Sequence, residues 1–359
     1  MPTNILDNLT KIKKLDSQNM LGSLQLLSSQ VEQVWNQARE VRIPVSYKNI
    51  QNVVLLGMGG SAIGTHLIKT VFAKELKVPV EIINDYNIPA FVNDKTLVIG
   101  SSYSGGTEEP LNALKQAKNK KAKIIVVSSG GKMAFFARQS RLPALVFSTE
   151  NNPCGSPRMG LGYSIVGQLA LFAKLGLLKL SQKKIKEMIK TLAYYDTQFG
   201  VLTPQKENVA KQLARKIIGK SVWYVASEHL LGNAHIAANQ MNENAKRFAG
   251  YFAIPELNHH LMEGMMNPAS NKRDLLFILF GSKLYHARNQ KRYKVTEKVL
   301  NKNNVQYSVY NMQEKDLVLQ MCEVLVLGGY VSYYSALLEN IDPTDIPYVD
   351  YFKSEMKKK

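Results

Sequence analysis

Short apolar runs alternate along the chain with longer stretches in which apolar residues recur every three or four positions. The first pattern is typical of buried strands and the second of amphipathic helices. The runs predict strands over 52–57, 78–83, 96–100, 123–127, 144–147, 221–226, 275–280 and 305–309. The periodic stretches predict helices over 62–74, 108–118, 133–139, 159–180, 183–199, 230–248, 285–300 and 316–338. Strands that alternate with helices indicate an α/β protein with a parallel sheet.

The alternation occurs in two blocks. Residues 1–50 precede the first block and have a helical pattern, and the stretch 151–205 between the blocks contains helical patterns without a clear strand. We therefore predict two doubly wound α/β domains with mainly parallel sheets, joined by helices. Their expected bounds are 1–155 for the N-terminal domain, 156–204 for the helical connection and 205–359 for the C-terminal domain.

Length and composition agree with this organisation. A chain of 359 residues is long enough for about two domains. No apolar run reaches the ~18 residues of a membrane-spanning helix, and the polar start does not resemble a signal peptide. The two cysteines, Cys154 and Cys322, form no recognisable spacing motif. We therefore expect a soluble protein in a reducing, cytoplasmic environment.

The formal net charge is +18, from 46 Lys and Arg against 28 Asp and Glu. Such a field attracts anions, which include both nucleic acids and phosphorylated metabolites. The sequence contains no helix-turn-helix pattern, zinc-finger spacing or aromatic RNA-binding signature. Nucleic acid is therefore not expected as the main partner, and no membrane partner is expected either.

A glycine-rich segment, Gly57-Met-Gly-Gly-Ser-Ala-Ile-Gly64, follows the first predicted strand and opens a helix. Glycines allow a ligand to approach the backbone closely, and the start of a helix presents unpaired N–H groups to an anion. The spacing differs from the dinucleotide-binding GxGxxG motif and lacks the lysine of a P-loop. We predict that Gly60 and Ser61 bind phosphate, although a tight strand-to-helix turn alone would have the same composition.

A second segment between a strand and a helix, Ser102-Tyr-Ser-Gly-Gly-Thr-Glu-Glu109, contains three hydroxyl side chains. Ser102, Ser104 and Thr107 can converge with backbone amides on phosphate oxygens. The simpler alternative is that Thr107 only caps the following helix. Because the carboxyl ends of parallel strands meet at one edge of a sheet, the two segments are expected to form a single crevice.

The two segments together resemble the sugar isomerase (SIS) family and, within it, the bifunctional phosphoglucose/phosphomannose isomerases. The family usually has SYSGNTEE in the second segment, so Gly106 stands where asparagine is usual. Further segments resemble the family in chain order: SPRMGLGYS at 156–164, NENAK at 242–246, ELNHH at 256–260 and DPTDIPYVDYFK at 342–353. The resemblance implies that both domains are of the SIS type.

The resemblance also implies roles for individual residues in an aldose–ketose isomerisation. Glu243 matches the family's catalytic base, and Arg158 matches the arginine that stabilises the enediolate. His259 and Lys353 match the residues that open the sugar ring. In the family this histidine comes from the neighbouring subunit, which implies a homodimer with shared active sites. His260 stands where asparagine is common.

Each of these residues also has a plainer interpretation. Arg158 could pair with a nearby acid at a helix start. Glu243 could be an exposed helical residue paired with Lys246 or Arg247. Lys353 could be one more lysine of a basic tail.

The function implied by the resemblance is reversible isomerisation of glucose 6-phosphate and mannose 6-phosphate to fructose 6-phosphate through a cis-enediol, without metal or cofactor. One alternative is a non-catalytic sensor of sugar phosphates, because SIS folds serve that role too. A second is an isomerase or deaminase of amino-sugar phosphates. A third uses a metal bound by His259, His260 and Glu263, although adjacent histidines rarely face one point.

Overall fold

A computed structural model describes residues 5–358 of the chain. The N-terminal half contains the strands β1 (Asn52–Leu56), β2 (Val80–Ile83), β3 (Thr96–Ser102), β4 (Lys123–Ser128) and β5 (Ala144–Val146). They form one parallel sheet in the order β2-β1-β3-β4-β5. All five strands lie where the apolar runs predict them.

The sheet is covered on both faces, which explains why its strands are apolar throughout. Successive residues of β1 belong to different clusters, with Val53 and Leu55 in the main core and Val54 and Leu56 in a second cluster. The helices of this half are α1 (Leu9–Leu15), α2 (Met20–Gln25), α3 (Leu27–Arg39), α4 (Gly60–Val71), α5 (Glu108–Asn119), α6 (Gly131–Gln139), α7 (Leu161–Lys174) and α8 (Gln182–Phe199). Helices α5 and α6 cover the second cluster, whereas α3, α4 and α7 pack together in the main core.

The C-terminal half contains a second parallel sheet, formed by β6 (Ser221–Ser227), β7 (Ala249–Ile254), β8 (Leu275–Gly281) and β9 (Gln306–Asn311). Its order, β7-β6-β8-β9, repeats that of the first four strands of the N-terminal sheet. The predicted fold class of two mainly parallel α/β units is thereby confirmed. The exact domain bounds stay a prediction.

The helices of the C-terminal half are α9 (Val209–Ile217), α10 (Leu231–Asn244), α11 (Leu257–His260), α12 (Asn271–Asp274), α13 (Ala287–Lys302), α14 (Leu317–Leu338) and α15 (Pro347–Glu355). Short 3₁₀ helices lie at Ile5–Asp7, Val45–Lys48, Pro157–Met159, Glu228–Leu230 and Glu263–Met266. The hydrophobic pattern predicts α10, α13 and α14. It does not predict α9, α15 or β7.

The predicted helix over 230–248 is too long. Helix α10 ends at Asn244, and Lys246 has a left-handed backbone with φ of +51°, which a helix does not continue through. The side chain of Asn242 then pairs with the main chain of Ala249, accepting from its N–H at 3.1 Å and donating to its carbonyl at 2.8 Å. These contacts turn the chain directly from the helix into β7.

Helix α14 is 22 residues long and apolar enough to cross a membrane by length and composition. Nearly all of its residues are buried inside the protein, however, where it packs against α8, α9 and α10. Its apolar character on every side therefore reflects a central position in the core.

Candidate active site

The two segments predicted to bind phosphate lie side by side at one edge of the N-terminal sheet. Strands β1 and β3 are neighbours, and the chain leaves them toward opposite sides of the sheet, to β2 and β4 respectively. Their carboxyl ends therefore flank the topological switch point, where open α/β sheets bind ligands. The first loop opens α4 and the second opens α5, so two helix N-termini point at the same crevice.

The first loop is tied to the second through Ser61. Gly59 has a φ of +46°, and α4 begins directly after it. The buried Ser61 hydroxyl accepts a hydrogen bond from the Tyr103 N–H at 3.0 Å. Gln168 of α7 donates to the Ser61 carbonyl at 2.8 Å and supports the turn from behind. Gly60 and Ser61 are therefore fixed against the neighbouring loop.

The second loop brings its hydroxyls together. The hydroxyl oxygens of Ser102 and Thr107 lie 2.8 Å apart, and Ser102 also accepts from the Gly105 N–H at 3.1 Å. Ser104 accepts from the Gly106 N–H at 3.3 Å and remains exposed. Thr107 occupies the N-cap position of α5, but its side chain makes no capping hydrogen bond. The capping alternative therefore does not account for this hydroxyl.

The two glycines of the second loop differ in their surroundings. Gly105 has a φ of +67°, and a β-carbon placed on it would lie 1.9 Å from the Gly130 carbonyl oxygen. A β-carbon on Gly106 would meet only the Ser104 hydroxyl, at 3.8 Å. Close packing against the loop that follows β4 thus requires Gly105, whereas the position of Gly106 has room for the asparagine that the family usually carries.

Arg158 is buried beside this crevice. Its guanidinium donates to Asn244 Oδ1 at 2.8 Å and to the carbonyls of Pro343 and Thr344 at 3.0 and 2.6 Å. Burial lowers the pKa of Arg158, and the negative charge of Glu243 opposes this effect. Within residues 5–358 the guanidinium forms no salt bridge, so the pairing with an acid is not found and its positive charge stays available to a ligand.

Glu243 stands next to this arginine at the end of α10. Burial raises the pKa of its carboxyl group, whereas the positive charges of Arg158, Lys353 and Lys246 act in the opposite direction and lower it less. It is not the freely exposed helical residue of the plainer interpretation, and Arg247 pairs with Glu339 instead. A partly buried carboxylate with a raised pKa is suited to accept a proton from carbon.

Lys353 lies on α15 and is exposed, yet its charge acts on Glu243. The charges of Arg158 and Lys353 thus both act on Glu243, although the three residues belong to distant parts of the chain. A β-carbon on Gly60 would lie 3.7 Å from the Arg158 Cα atom. The first phosphate loop thus borders the cluster of charged residues directly.

His259 is not part of this cluster. It lies in the short helix α11, which follows β7, and is exposed. In the part of the chain that the structure describes, the His259 side chain forms no hydrogen bond with Arg158, Glu243 or Lys353, and the side-chain partner of Arg158 is Asn244. His260 is also exposed and packs its ring 6.2 Å from that of Phe252. Residues 5–358 contain no group of three or more metal-binding side chains.

Two residues of the cluster have no role in the sequence-based interpretation. Asn244 is fully buried and accepts from Arg158. Lys246 donates to the carbonyls of Asn244 and Asp342 at 3.1 and 2.6 Å, and burial together with the charge of Arg158 lowers its pKa to about 8. Both lie in the segment 242–246, so their position in the sequence is the one signal that could have found them. Asn244 ends α10, and Lys246 contacts the site because the chain turns directly after this helix.

The chain matches two family descriptions and several characterised relatives. The "SIS domain" family covers residues 46–172, and the "Bacterial phospho-glucose isomerase C-terminal SIS domain" covers residues 206–356. A bifunctional phosphoglucose/phosphomannose isomerase of Caldicellulosiruptor bescii is 34% identical over 94% of this chain and 98% of its own length. The enzyme of the same name from Thermoplasma volcanium is 27% identical over 88% and 96%.

Solved structures extend the likeness of the fold. A hypothetical protein from Thermus thermophilus superposes with a TM-score of 0.72 and 17% identity, covering 97% of this chain and 93% of its own. At this identity the likeness concerns the fold alone. The sequence relationship is closer and extends over both halves of the molecule. The chain belongs to the bifunctional phosphoglucose/phosphomannose isomerase family of SIS-domain proteins.

Proposed function

We propose that the protein reversibly isomerises glucose 6-phosphate and mannose 6-phosphate to fructose 6-phosphate. The observation that carries this proposal is the position of the buried Arg158 and the partly buried Glu243 beside two loops at helix N-termini, one rich in glycine and the other in hydroxyl groups. Two relatives with this pair of activities in their names match 94% and 88% of the chain. A site with a base and an unneutralised cation next to an anion-binding crevice suits the chemistry of a phosphorylated sugar.

The proton transfer is assigned to Glu243. In the open-chain aldose it takes the proton from C2, which leaves a cis-enediolate. The hydroxyl proton then moves from O2 to O1, and Glu243 returns the abstracted proton to C1 to give the ketose. Arg158 stabilises the negative charge on the enediolate oxygens. Because the enediolate is planar at C2, one base serves glucose and mannose substrates alike.

The phosphate group is assigned to the two loops. Gly60 and Ser61 at the start of α4, with Ser102, Ser104 and Thr107 before α5, supply hydroxyl groups and helix amides to its oxygens. No metal and no cofactor takes part, because an acid–base pair and a fixed cation suffice for this isomerisation. Small-molecule sugar phosphates are thus the partners, and neither nucleic acid nor a membrane is required.

Ring opening is assigned to His259 and Lys353. Lys353 already acts on Glu243 within the chain, whereas His259 is exposed and separate from the cluster. We propose that the His259 imidazole enters the site of a second copy, so that the working enzyme is a homodimer with shared active sites. We also place the enzyme in the cytoplasm, in keeping with its two buried, unpaired cysteines.

The test supplies purified protein with fructose 6-phosphate in the presence of EDTA and follows the formation of glucose 6-phosphate and mannose 6-phosphate. Both products are expected, and the Glu243→Gln variant is expected to lose at least about 10²-fold in kcat. Glu32→Gln is the matched control, because Glu32 is an exposed residue of α3.

Three outcomes contradict the proposal in different ways. Activity that EDTA abolishes would support a metal mechanism. Full activity in Glu243→Gln would remove this residue from the role of base. A folded protein that binds the sugar phosphate without converting it would be a sensor.

A further inference from the structure

A short connection between α14 and α15, Asp342–Asp345, contacts the candidate site with its main chain. We refer to these four residues as the strap. Arg158 donates to the carbonyls of Pro343 and Thr344, and Lys246 donates to the carbonyl of Asp342 at 2.6 Å. The strap thus places a row of carbonyl oxygens against Arg158 and Lys246, two of the three cations of the charged cluster.

The other side of the strap is held by the N-terminal segment of the chain. The Ser17 hydroxyl donates to Asp342 Oδ2 at 2.5 Å, and the Ser17 N–H contacts the same oxygen at 3.3 Å. Gln18 donates from its side-chain amide to Asp345 Oδ1 at 3.1 Å. These contacts join positions more than three hundred residues apart, and they involve a segment to which no motif assigns a role.

The N-terminal segment is itself anchored in the core. Asp16 is buried, and its carboxylate accepts from the Tyr333 hydroxyl of α14 at 3.0 Å. The same carboxylate accepts from the N–H groups of Met20 and Leu21 at 2.7 and 2.8 Å. Ser17 and Gln18 therefore extend from a fixed point toward the strap.

The carboxylate of Asp342 connects the two sides. Its Oδ2 atom accepts a hydrogen bond from the Ser17 hydroxyl, while its Oδ1 atom accepts from the Thr344 N–H at 2.8 Å. The contact with Ser17 therefore fixes the rotation of the Asp342 side chain, which in turn fixes the Pro343–Thr344 peptide. The carbonyl of this peptide, that of Pro343, accepts from Arg158. Helix α15, which follows the strap and carries Lys353, has no buried residue of its own, so its position depends strongly on the strap.

We infer that residues 16–18 form a positioning element for the active site, which sets the strap and thereby the geometry of Arg158 and Lys353. Ser17 is the residue that transmits this effect, and it touches no reacting atom. The inference rests on the proposed isomerase function for its kinetic consequence and on the contacts alone for its structural one.

The test compares the full-length Ser17→Ala variant with the wild type. We expect kcat for fructose 6-phosphate to fall about tenfold, because small displacements of catalytic groups are costly. KM is expected to change less than about twofold, since the phosphate loops are not touched. Ser17→Thr, which keeps the hydroxyl, should have a kcat close to that of the wild type. Thr10→Ala removes an exposed hydroxyl from α1 and is the matched control.

Hydrogen exchange provides a readout that does not depend on turnover. Amides of residues 342–352 are expected to exchange at least about threefold faster in Ser17→Ala than in the wild type, with the core of α14 unchanged. Unchanged exchange in this region, or an equal loss of kcat in Thr10→Ala, would overturn the inference. A wild type without isomerase activity would refute the proposed function, and the exchange result would then decide alone whether residues 16–18 hold the strap.

Discussion

Gly105 and Gly106 are adjacent in sequence, yet the structure predicts opposite responses to the same substitution. Gly105→Ala places a methyl group 1.9 Å from the Gly130 carbonyl oxygen and requires a left-handed backbone at φ of +67°. Gly106→Ala places its methyl group in open space, with the Ser104 hydroxyl at 3.8 Å. The pair therefore tests whether close backbone packing holds the second phosphate loop.

The magnitude follows from two costs at Gly105. A left-handed conformation costs a residue with a β-carbon about 1–2 kcal/mol, and overpacking a well-filled site costs about 1–3 kcal/mol. The loop cannot shift freely to relieve the clash, because the Gly105 carbonyl accepts from the Met133 N–H at 2.9 Å. We expect Gly105→Ala to lower the free energy of unfolding by about 2–5 kcal/mol and Gly106→Ala by less than about 0.5 kcal/mol.

Urea unfolding followed by tryptophan fluorescence measures the difference, and Trp35 in α3 reports on the half of the molecule that contains the loop. A Trp223→Phe background isolates this signal, since the chain has two tryptophans. The reasoning would be refuted if Gly105→Ala stayed within about 0.5 kcal/mol of its background, which is the scatter of neutral surface changes, or if both variants lost equal stability.

Two further predictions concern Glu243 and the residues proposed to act with it. In the proposed mechanism the carboxylate is the active form of Glu243, and burial raises its pKa. The rise of kcat/KM with pH should therefore occur at a higher pH than for an ordinary glutamate, and kcat/KM should fall again above about pH 8 as Lys246 loses its proton. Lys246→Arg should move the alkaline limb upward, since arginine stays charged, and a limb that does not move would exclude Lys246 as its source. The Glu243→Gln and His259→Ala variants should regain about a quarter of wild-type activity when they are mixed in equal amounts and their subunits exchange. Half of the dimers then contain one subunit of each variant, and one of the two shared sites in such a dimer is intact. No recovery would show that each site uses its own His259.

The sequence predicts the elements that depend on local pattern. Strands β1, β3 and β4 are buried on both faces, so they appear as continuous apolar runs bounded by polar or glycine-rich loops. The positions of the two glycine- and hydroxyl-containing loops are predictable for a similar reason, since such residues mark the boundary between a strand and a helix, whereas phosphate binding by these loops stays a prediction.

Elements whose stability comes from distant contacts are not predictable in this way. Strand β7 begins Ala249-Gly250, which are poor strand formers, and it forms because it pairs with β6 along its whole length. Helix α15 carries exposed aromatic residues in place of an apolar stripe that faces the core. The contacts of Lys246 depend on the turn of the chain after α10, so no spacing rule could assign them to the site.

The C-terminal sheet has the same strand order as the first four strands of the N-terminal sheet. Phosphate binding is assigned only to the N-terminal sheet, because the loops at the carboxyl ends of the strands differ between the two sheets. At the C-terminal sheet, the loop after β6 places the Glu228 carboxylate at the start of α13, where it accepts from the His286 N–H at 2.7 Å and from Asn289 at 2.8 Å. A carboxylate already bound to the helix start repels a second anion and satisfies the groups that would bind it. The N-terminal edge instead presents glycines and neutral hydroxyls. In the proposed function, one half of the repeated scaffold therefore binds the substrate's phosphate, while the other half supplies Glu243 from the helix that follows the corresponding strand.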